Sequence, residues 1–474
     1  MENKHNIGTN LKKLSTRIII VILGLFFWFS TGPQGVSMEA WRLFVLFMSV
    51  ILSVLTNAFP ILWATIVALL VILTSGILPP STAFSGFTQS FMLLIVTAFL
   101  AAKAVIRSGL GRRVAMWLIS RFGKSTLHLA YCIFVTDLII APAIPSNTAR
   151  SGILFPIVNA LALDTGSLPD EKSRKRTGSY IMMCSIASLS ISSALWLTGM
   201  AGNFIAAEIA KSFGVTFTFF NWLLTASLPC LMALALLPYL IQRLYPPEIK
   251  DTTEVMISAQ KTLGELGPLK RQEWITLSVF ALMIALWGLS GILHISLALV
   301  GILGLTALFV TGVYRFTYLK DEKGDALETY IWFSIMYMMS TQLNELGFIQ
   351  VISQEMSGIF LHFHWFYSYL LLTLVYVFVH YLFVSQTAHL LALYAIFLEV
   401  AIQSNVPAAL MAFMLAFATN YFSAITPQAS SSNIIFVGSG YIHPGEVYKI
   451  GLFVTIINLT IFLLCTPWII WITT

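Results

Sequence analysis

The sequence predicts an all-α polytopic membrane protein: eleven transmembrane helices in an inverted repeat with two re-entrant hairpins. Three observations predict it. Of 474 residues, 58% are apolar and only 10% charged, too little charge to cover a water-soluble surface. The apolar residues gather in runs near the roughly 20 residues that a helix needs to cross a bilayer. Two of the runs are interrupted by a polar tip, and the tips lie at matching distances from an upstream glycine, 37 residues from Gly109 to Ser146 and 38 from Gly347 to Ser385.

In chain order, spans are expected at 18–32, 39–58, 60–78, 88–106, 177–209 and 217–243, then at 274–291, 293–315, 328–346, 407–440 and 449–472. This divides the chain into a cytoplasmic N-terminus with the first span (1–38), a first repeat (39–243), a polar linker (244–273) that joins the repeats, and a second repeat (274–474). The basic start MENKHNIGTNLKKLSTR precedes an apolar stretch without a small-residue cleavage site, so it reads as a retained span with a cytoplasmic N-terminus. Nothing in it resembles a transit peptide, which favours a bacterial cytoplasmic membrane. The run GRRVAMWLISRFG (Gly111–Gly123) reads as an amphipathic helix on the cytoplasmic surface.

The interrupted runs are 127–164 and 366–403. Arg112, Arg113, Arg121 and Lys124 precede the first, and Lys172, Arg174, Lys175 and Arg176 follow it, so both of its flanks are expected in the cytoplasm. The second is flanked by LHFHWF and IQSNVP, with no Lys or Arg from 324 to 448, so its flanks are expected outside. A segment that returns to the face it left is a re-entrant hairpin, tolerated where protein or a water-filled cavity surrounds its backbone. With five spans per half the second copy must be inverted, an architecture common among secondary carriers.

The tips read PSNTARSG (Pro145–Gly152) and VSQTAHLL (Val384–Leu391). Ser146, Asn147 and Thr148 and their counterparts Ser385, Gln386 and Thr387 supply hydroxyls and carboxamides, donors suited to carboxylates, at the start of helices whose N–H groups add to them. A span with a mid-membrane break follows each hairpin: LTGMAGN (Leu197–Asn203), with Thr198, Gly199 and Met200, and AITPQASSSN (Ala424–Asn433), with Thr426, Pro427 and a serine run. Unwound backbone at such breaks presents carbonyls and amides to ligands. Close helix packing is the alternative use of Gly199 and Gly202.

These motifs, SNT, SQT, LTGMAGN and FVGSGY (Phe436–Tyr441), resemble the divalent anion:sodium symporter family, and within it the branch of 2-oxoglutarate/malate translocators and citrate/succinate antiporters. The resemblance implies a homodimer, an elevator motion of a transport domain against a scaffold, hairpin tips that bind substrate carboxylates, and sodium sites built from tips and broken helices. Gln386 departs from the asparagine usual at the second tip.

Arg150 and His389 depart further: both stand two residues after the tip threonine, where the sodium-coupled members resembled here tend to carry small residues. An arginine at bilayer depth costs on the order of 2.5 to 3.5 kcal/mol and is usually paired or functional. The expectation is that these cations stand in for sodium and match the charge of a bound dianion, so that the carrier exchanges C4 and C5 dicarboxylates (malate, fumarate, succinate, 2-oxoglutarate) without sodium. A sodium-coupled dicarboxylate or tricarboxylate symporter is the alternative, favoured if Arg150 pairs with an acid such as Asp137. His389 has its own bland alternative, a hydrogen bond to a carbonyl.

Other classes find little support. The net charge of +6 lies in short clusters between spans, which argues for a bilayer and against nucleic acid. Cys132, Cys184, Cys230 and Cys465 lack pairing or ligand spacing, and Asp137, Glu208, Glu345 and Glu399 are scattered without catalytic spacing. No cofactor, metal or enzymatic activity is expected.

Overall fold

The computed structural model describes the backbone of residues 2–315, 317, 325–358, 360 and 363–473, with side chains from Lys13 onward apart from Asp325. Leu361 and His362, in the expected flank of the second hairpin, lie outside them.

The first half runs α1 (Glu2–Phe29), α2 (Met38–Leu55), α3 (Ile61–Ser75), α4 (Ser90–Ser108), α5 (Leu110–Phe122), α6 (Thr126–Ile140), α7 (Asn147–Asp164), α8 (Gly178–Leu195), α9 (Ala201–Ser212) and α10 (Phe219–Leu244). A linker helix, α11 (Thr253–Leu266), follows. The second half runs α12 (Arg271–Gly288), α13 (Leu297–Val310), α14 (Asp325–Glu345), α15 (Phe348–Ser357), α16 (Trp365–Val379), α17 (Gln386–Gln403), α18 (Ala408–Tyr421), α19 (Ser431–Val437), α20 (Pro444–Leu464) and α21 (Thr466–Thr473).

Element lengths recur between the halves. Each interrupted run has a 15-residue first arm (α6, α16), a three-residue 3-10 turn, and an 18-residue second arm (α7, α17). Each is preceded by a corner at a glycine with φ 78° and ψ 4°, Gly109 between α4 and α5 and Gly347 between α14 and α15. Both corners occupy the left-handed region, which glycine alone enters without a steric penalty. The second arms start alike: Ser146 (φ −145°, ψ 115°) accepts from the Ala149 N–H at 3.2 Å, and Ser385 (φ −153°, ψ 127°) from the Ala388 N–H at 3.3 Å.

Eight helices among the described residues are long and apolar enough to cross a membrane: α2, α4, α6 with its 3-10 turn, α8, α10, α16 with its turn, α17 and α20. That tally differs from the expected eleven: three hairpin arms (α6, α16, α17) count among the eight, α3, α13 and the apolar segment Ala408–Ala424 are too short, and α1, α12 and α14 are long enough but do not meet the criterion of length and composition together. The expected spans 177–209 and 407–440 are each two helices separated by a break.

The core centres on α8, all of whose residues are buried. Its sequence, GSYIMMCSIASLSISSAL, is rich in small residues, which let α6, α7, α10 and α18 pack closely around it. Serines within it return their hydroxyls to the helix's own carbonyls, Ser185 to Ile181 at 2.8 Å and Ser193 to Leu189 at 2.6 Å, so these hydroxyls are satisfied without a partner from another helix. The halves cross over one another, since α7 packs on α19 and α17 packs on α9.

The linker is more than a connector. Thr126 N–H donates to the Lys250 carbonyl and Thr252 N–H to that of Lys124, while Glu248 and Ile249 donate to the carbonyls of Lys175 and Arg176. The linker is thus tied to both flanks of the first hairpin. Arg113, on α5, bonds Glu273 at 2.8 Å and the Gly267 carbonyl at 2.7 Å, which fixes the linker's far end. One asymmetry separates the halves: α15 lies along α17, whereas between α5 and α7 a cavity of about 470 Å³ opens, floored by Val255, Ser258 and Ala259 of α11.

Candidate functional site

Proline shapes the first tip. Pro142 sits in the 3-10 turn Ala141–Ala143, and the Pro145 carbonyl accepts the Ala201 N–H at 3.0 Å, which joins tip to break. The second tip follows the turn His380–Leu382. Both tips and both breaks meet around a cavity of about 290 Å³, whose polar side is formed by Ser146, Asn147, Thr148, Ser385, Gln386 and Thr387 with Ser430 and Ser431. Thr148 of the first tip reaches the second break through a 2.5 Å hydroxyl contact with Ser431. Phe99 of α4 and Thr329, Trp332 and Phe333 of α14 complete the lining, with three aromatic rings and one hydroxyl.

The two breaks are built the same way. Asn203 donates through Nδ2 to the carbonyls of Ser193 and Trp196, ten and seven residues before it, at 3.0 and 3.1 Å. Asn433 donates to those of Ser423 and Thr426, again ten and seven residues before it, at 2.6 and 3.0 Å. Where a helix unwinds, its carbonyls lose their intrahelical donors, and one carboxamide replaces two of them. This register pairs Gly199 with Ala429, Met200 with Ser430 and Ala201 with Ser431. It pairs Thr426 with Trp196, which is why the serine run and not Thr426 reaches the cavity.

Arg150 is fully buried behind the first tip. Its Nη1 bonds Asp137 Oδ1 at 2.9 Å and Ser192 Oγ, and Asp137 Oδ2 accepts from Ser192 at 2.5 Å. Its Nη2 donates to Asn147 Oδ1 and, at 3.2 Å, to the Gly199 carbonyl. The guanidinium thus fills an oxygen cradle between tip and break. At the equivalent place in the second half, the Ala429 carbonyl accepts from His380 Nε2 at 3.1 Å, and His380 Nδ1 lies 3.2 Å from His389 Nδ1. His389 is buried among Tyr376, Phe383 and Phe422, with ring centroids 4.4 to 4.8 Å away.

Of the residues singled out in the sequence, Ser146, Asn147, Thr148, Met200, Ser385, Gln386 and Thr387 line the cavity, while Thr198, Gly199, Thr426, Pro427, Arg150 and His389 do not. Thr198 and Thr426 are buried behind the wall with hydroxyls lacking a protein partner. Gly199 serves close packing, as a Cβ there would stand 2.9 Å from Ser193 Cα. Arg150, expected as a charge-compensating cation, is paired with Asp137, the acid that the alternative names, since a charge at this depth needs a counter-charge. His389 likewise faces another imidazole. Ser430 and Ser431, quoted in the sequence only as a serine run, are legible once the breaks are aligned on their asparagines; Phe99, Trp332 and Phe333 carry no signal, since only tertiary packing brings α4 and α14 to the tips.

Residues 11–474 match the family model described as "Sodium:sulfate symporter transmembrane region". The chain is similar to "Dicarboxylate transporter 2, chloroplastic" of Spinacia oleracea, 36% identical over 456 residues, covering 95% of this chain and 80% of that protein. It is also similar to "Inner membrane protein YbhI" of Escherichia coli (strain K12), 30% identical over 468 residues, covering 97% and 98%. Among solved structures, the Alcanivorax borkumensis YdaH transporter matches with a TM-score of 0.55 at 14% identity, covering 86% of this chain and 89% of that one, a likeness of fold alone.

Proposed function

The chain belongs to the sodium:sulfate symporter transmembrane-region family of membrane transporters, and on that premise we propose that it exchanges C4 and C5 dicarboxylates (malate, fumarate, succinate, 2-oxoglutarate) across the bacterial cytoplasmic membrane without drawing on sodium. The substrate class is supported by the cavity, with two hydroxyl- and amide-bearing tips for two carboxylates and the aromatic rings of Phe99, Trp332 and Phe333 for the carbon chain between them, and by the dicarboxylate transporter of spinach that the chain resembles.

One observation carries the sodium independence: the Asn147 and Gly199 oxygens, which would otherwise face a cation, already accept from Arg150. Across the site, the Ala429 carbonyl accepts from His380. Exchange follows from electrostatics. Because Asp137 neutralises Arg150, a bound dianion crosses with its own charge, and moving two charges inward against the potential costs about 4.6 kcal/mol per 100 mV. Returning another dianion cancels that cost.

The same ion pair supports the second reading. A neutral site loaded with a dianion stays negative and would gain from added cations, as in a sodium-coupled symporter. In either reading the halves form an inverted repeat, the N-terminus lies in the cytoplasm, two copies form a dimer, and tips and breaks travel together past α4 and α14 as an elevator. Counterflow of one labelled external diacid into proteoliposomes loaded with each of a panel of unlabelled acids tests the substrate class. C4 and C5 diacids should drive counterflow; counterflow driven by sulfate or monocarboxylates but not by diacids would contradict it.

A further inference from the structure

The two tips touch. Asn147 Nδ2 donates to Gln386 Oε1 at 3.1 Å across 239 residues of chain, and both side chains are buried. Gln386 Nε2 donates in turn to the Thr419 carbonyl at 2.8 Å, and Asn147 Oδ1 accepts from Arg150. The direction of this chain is fixed at both ends, since a guanidinium can only donate and a backbone carbonyl can only accept. Each amide therefore has one orientation: Asp137 anchors Arg150, Arg150 orients Asn147, Asn147 orients Gln386, and the end of α18 holds Gln386.

From this geometry we infer that Gln386 is a positioning residue that sets the separation of the two tips, and with it the chain length of the diacid the cavity accepts. The inference rests on the dicarboxylate reading above. The physical reason is reach: the two amides share one gap, so their summed length fixes how far apart Ser146 and Thr148 stand from Ser385 and Thr387, which line the cavity on either side. Asparagine at 386 removes one methylene. With both ends of the chain anchored, the bond can be kept only if the tips draw together. Glutamine at 147 adds a methylene and pushes them apart.

The test is exchange of labelled succinate in proteoliposomes, inhibited by the unsubstituted saturated diacids malonate, succinate and glutarate. Gln386→Asn should shift the ratio of glutarate to succinate inhibition constants toward the shorter acid by roughly tenfold, the low end of what one methylene is worth in a fitted pocket, and Asn147→Gln should shift it the other way. The exchanged pair, Asn147→Gln with Gln386→Asn, restores the summed length and should return the ratio to within about threefold of the parent, a rescue that loss of packing would not produce. An active Gln386→Asn protein with an unchanged ratio, or a double variant that keeps the single variant's ratio, overturns the inference while leaving the dicarboxylate reading intact. A parent protein that exchanges no diacid overturns both. Should the variants fail to fold, rigid probes on the parent decide: fixed tips should separate trans- from cis-butenedioate by roughly tenfold, and equal inhibition overturns the inference.

Discussion

Asp137 and Arg150 form an ion pair in the protein core, both fully buried and 2.9 Å apart. Removing one partner strands the other in a low-dielectric core, so Asp137→Asn should destabilise the protein by about 3 to 5 kcal/mol, read as a lower melting temperature in detergent. An apolar pair of similar volume, Asp137→Leu with Arg150→Met, should recover most of that stability and yet lose transport, because the cradle at Asn147 and Gly199 is emptied. Gly199→Ala should also impair transport. Its Cβ would meet backbone 2.9 Å away, so the break must shift, at a cost of about 1 to 3 kcal/mol in melting experiments, and the shift carries the Gly199 carbonyl off the guanidinium. At this scale the sequence was informative about residue types and less so about their aim. The cost of an arginine at bilayer depth signals a partner, and Asp137 stands 13 residues before it. Which face of α7 Arg150 occupies depends on where the tip ends, and that is set by the Ser146 cap and the Pro145 contact with Ala201, a tertiary bond.

Hairpins, breaks and the amphipathic α5 were legible at the scale of elements, because proline, glycine and short polar motifs interrupt otherwise continuous apolar runs. The linker's structure was not, since its polarity is equally that of a loose chain. Its backbone bonds to Lys124, Thr126, Lys175 and Arg176 give an expected outcome in hydrogen exchange: the amides of Thr126, Glu248, Ile249 and Thr252 should exchange with the protected core and more slowly than those of the exposed segment 170–172. A second clasp joins the loop after α7 to the start of α20. Tyr441 of the FVGSGY motif donates to the Ser167 carbonyl at 2.9 Å, and its ring lies against Gly178, where a Cβ would stand 2.3 Å from Cδ1. Nearby, the His443 hydrogen bond holds the Glu171 carboxyl below the usual carboxylate range. A depressed carboxyl stabilises the fold above its unfolded value and loses that contribution as pH falls through the lowered one. Glu171→Gln should therefore flatten the acid limb of the melting-temperature profile, with a small effect, since Glu171 is exposed and screened by salt.

For the whole molecule, two chain halves of matching element order place their polar tips and breaks around a single cavity. The matched spacings and the paired polar motifs carried that much from sequence, because both follow from chain length and side-chain type. The cavity's aromatic lining did not follow, as it depends on how α4 and α14 pack against the tips. The central claim is that the protein's own donors, foremost the guanidinium of Arg150, occupy the oxygen cradles where a coupling cation would bind. Uptake of a labelled dicarboxylate, measured with external sodium varied against choline in proteoliposomes either empty or loaded with the same unlabelled diacid, tests it most directly. Rapid uptake into loaded vesicles that is indifferent to sodium, with little uptake into empty ones, is the predicted result; sodium-dependent uptake into empty vesicles would contradict the claim.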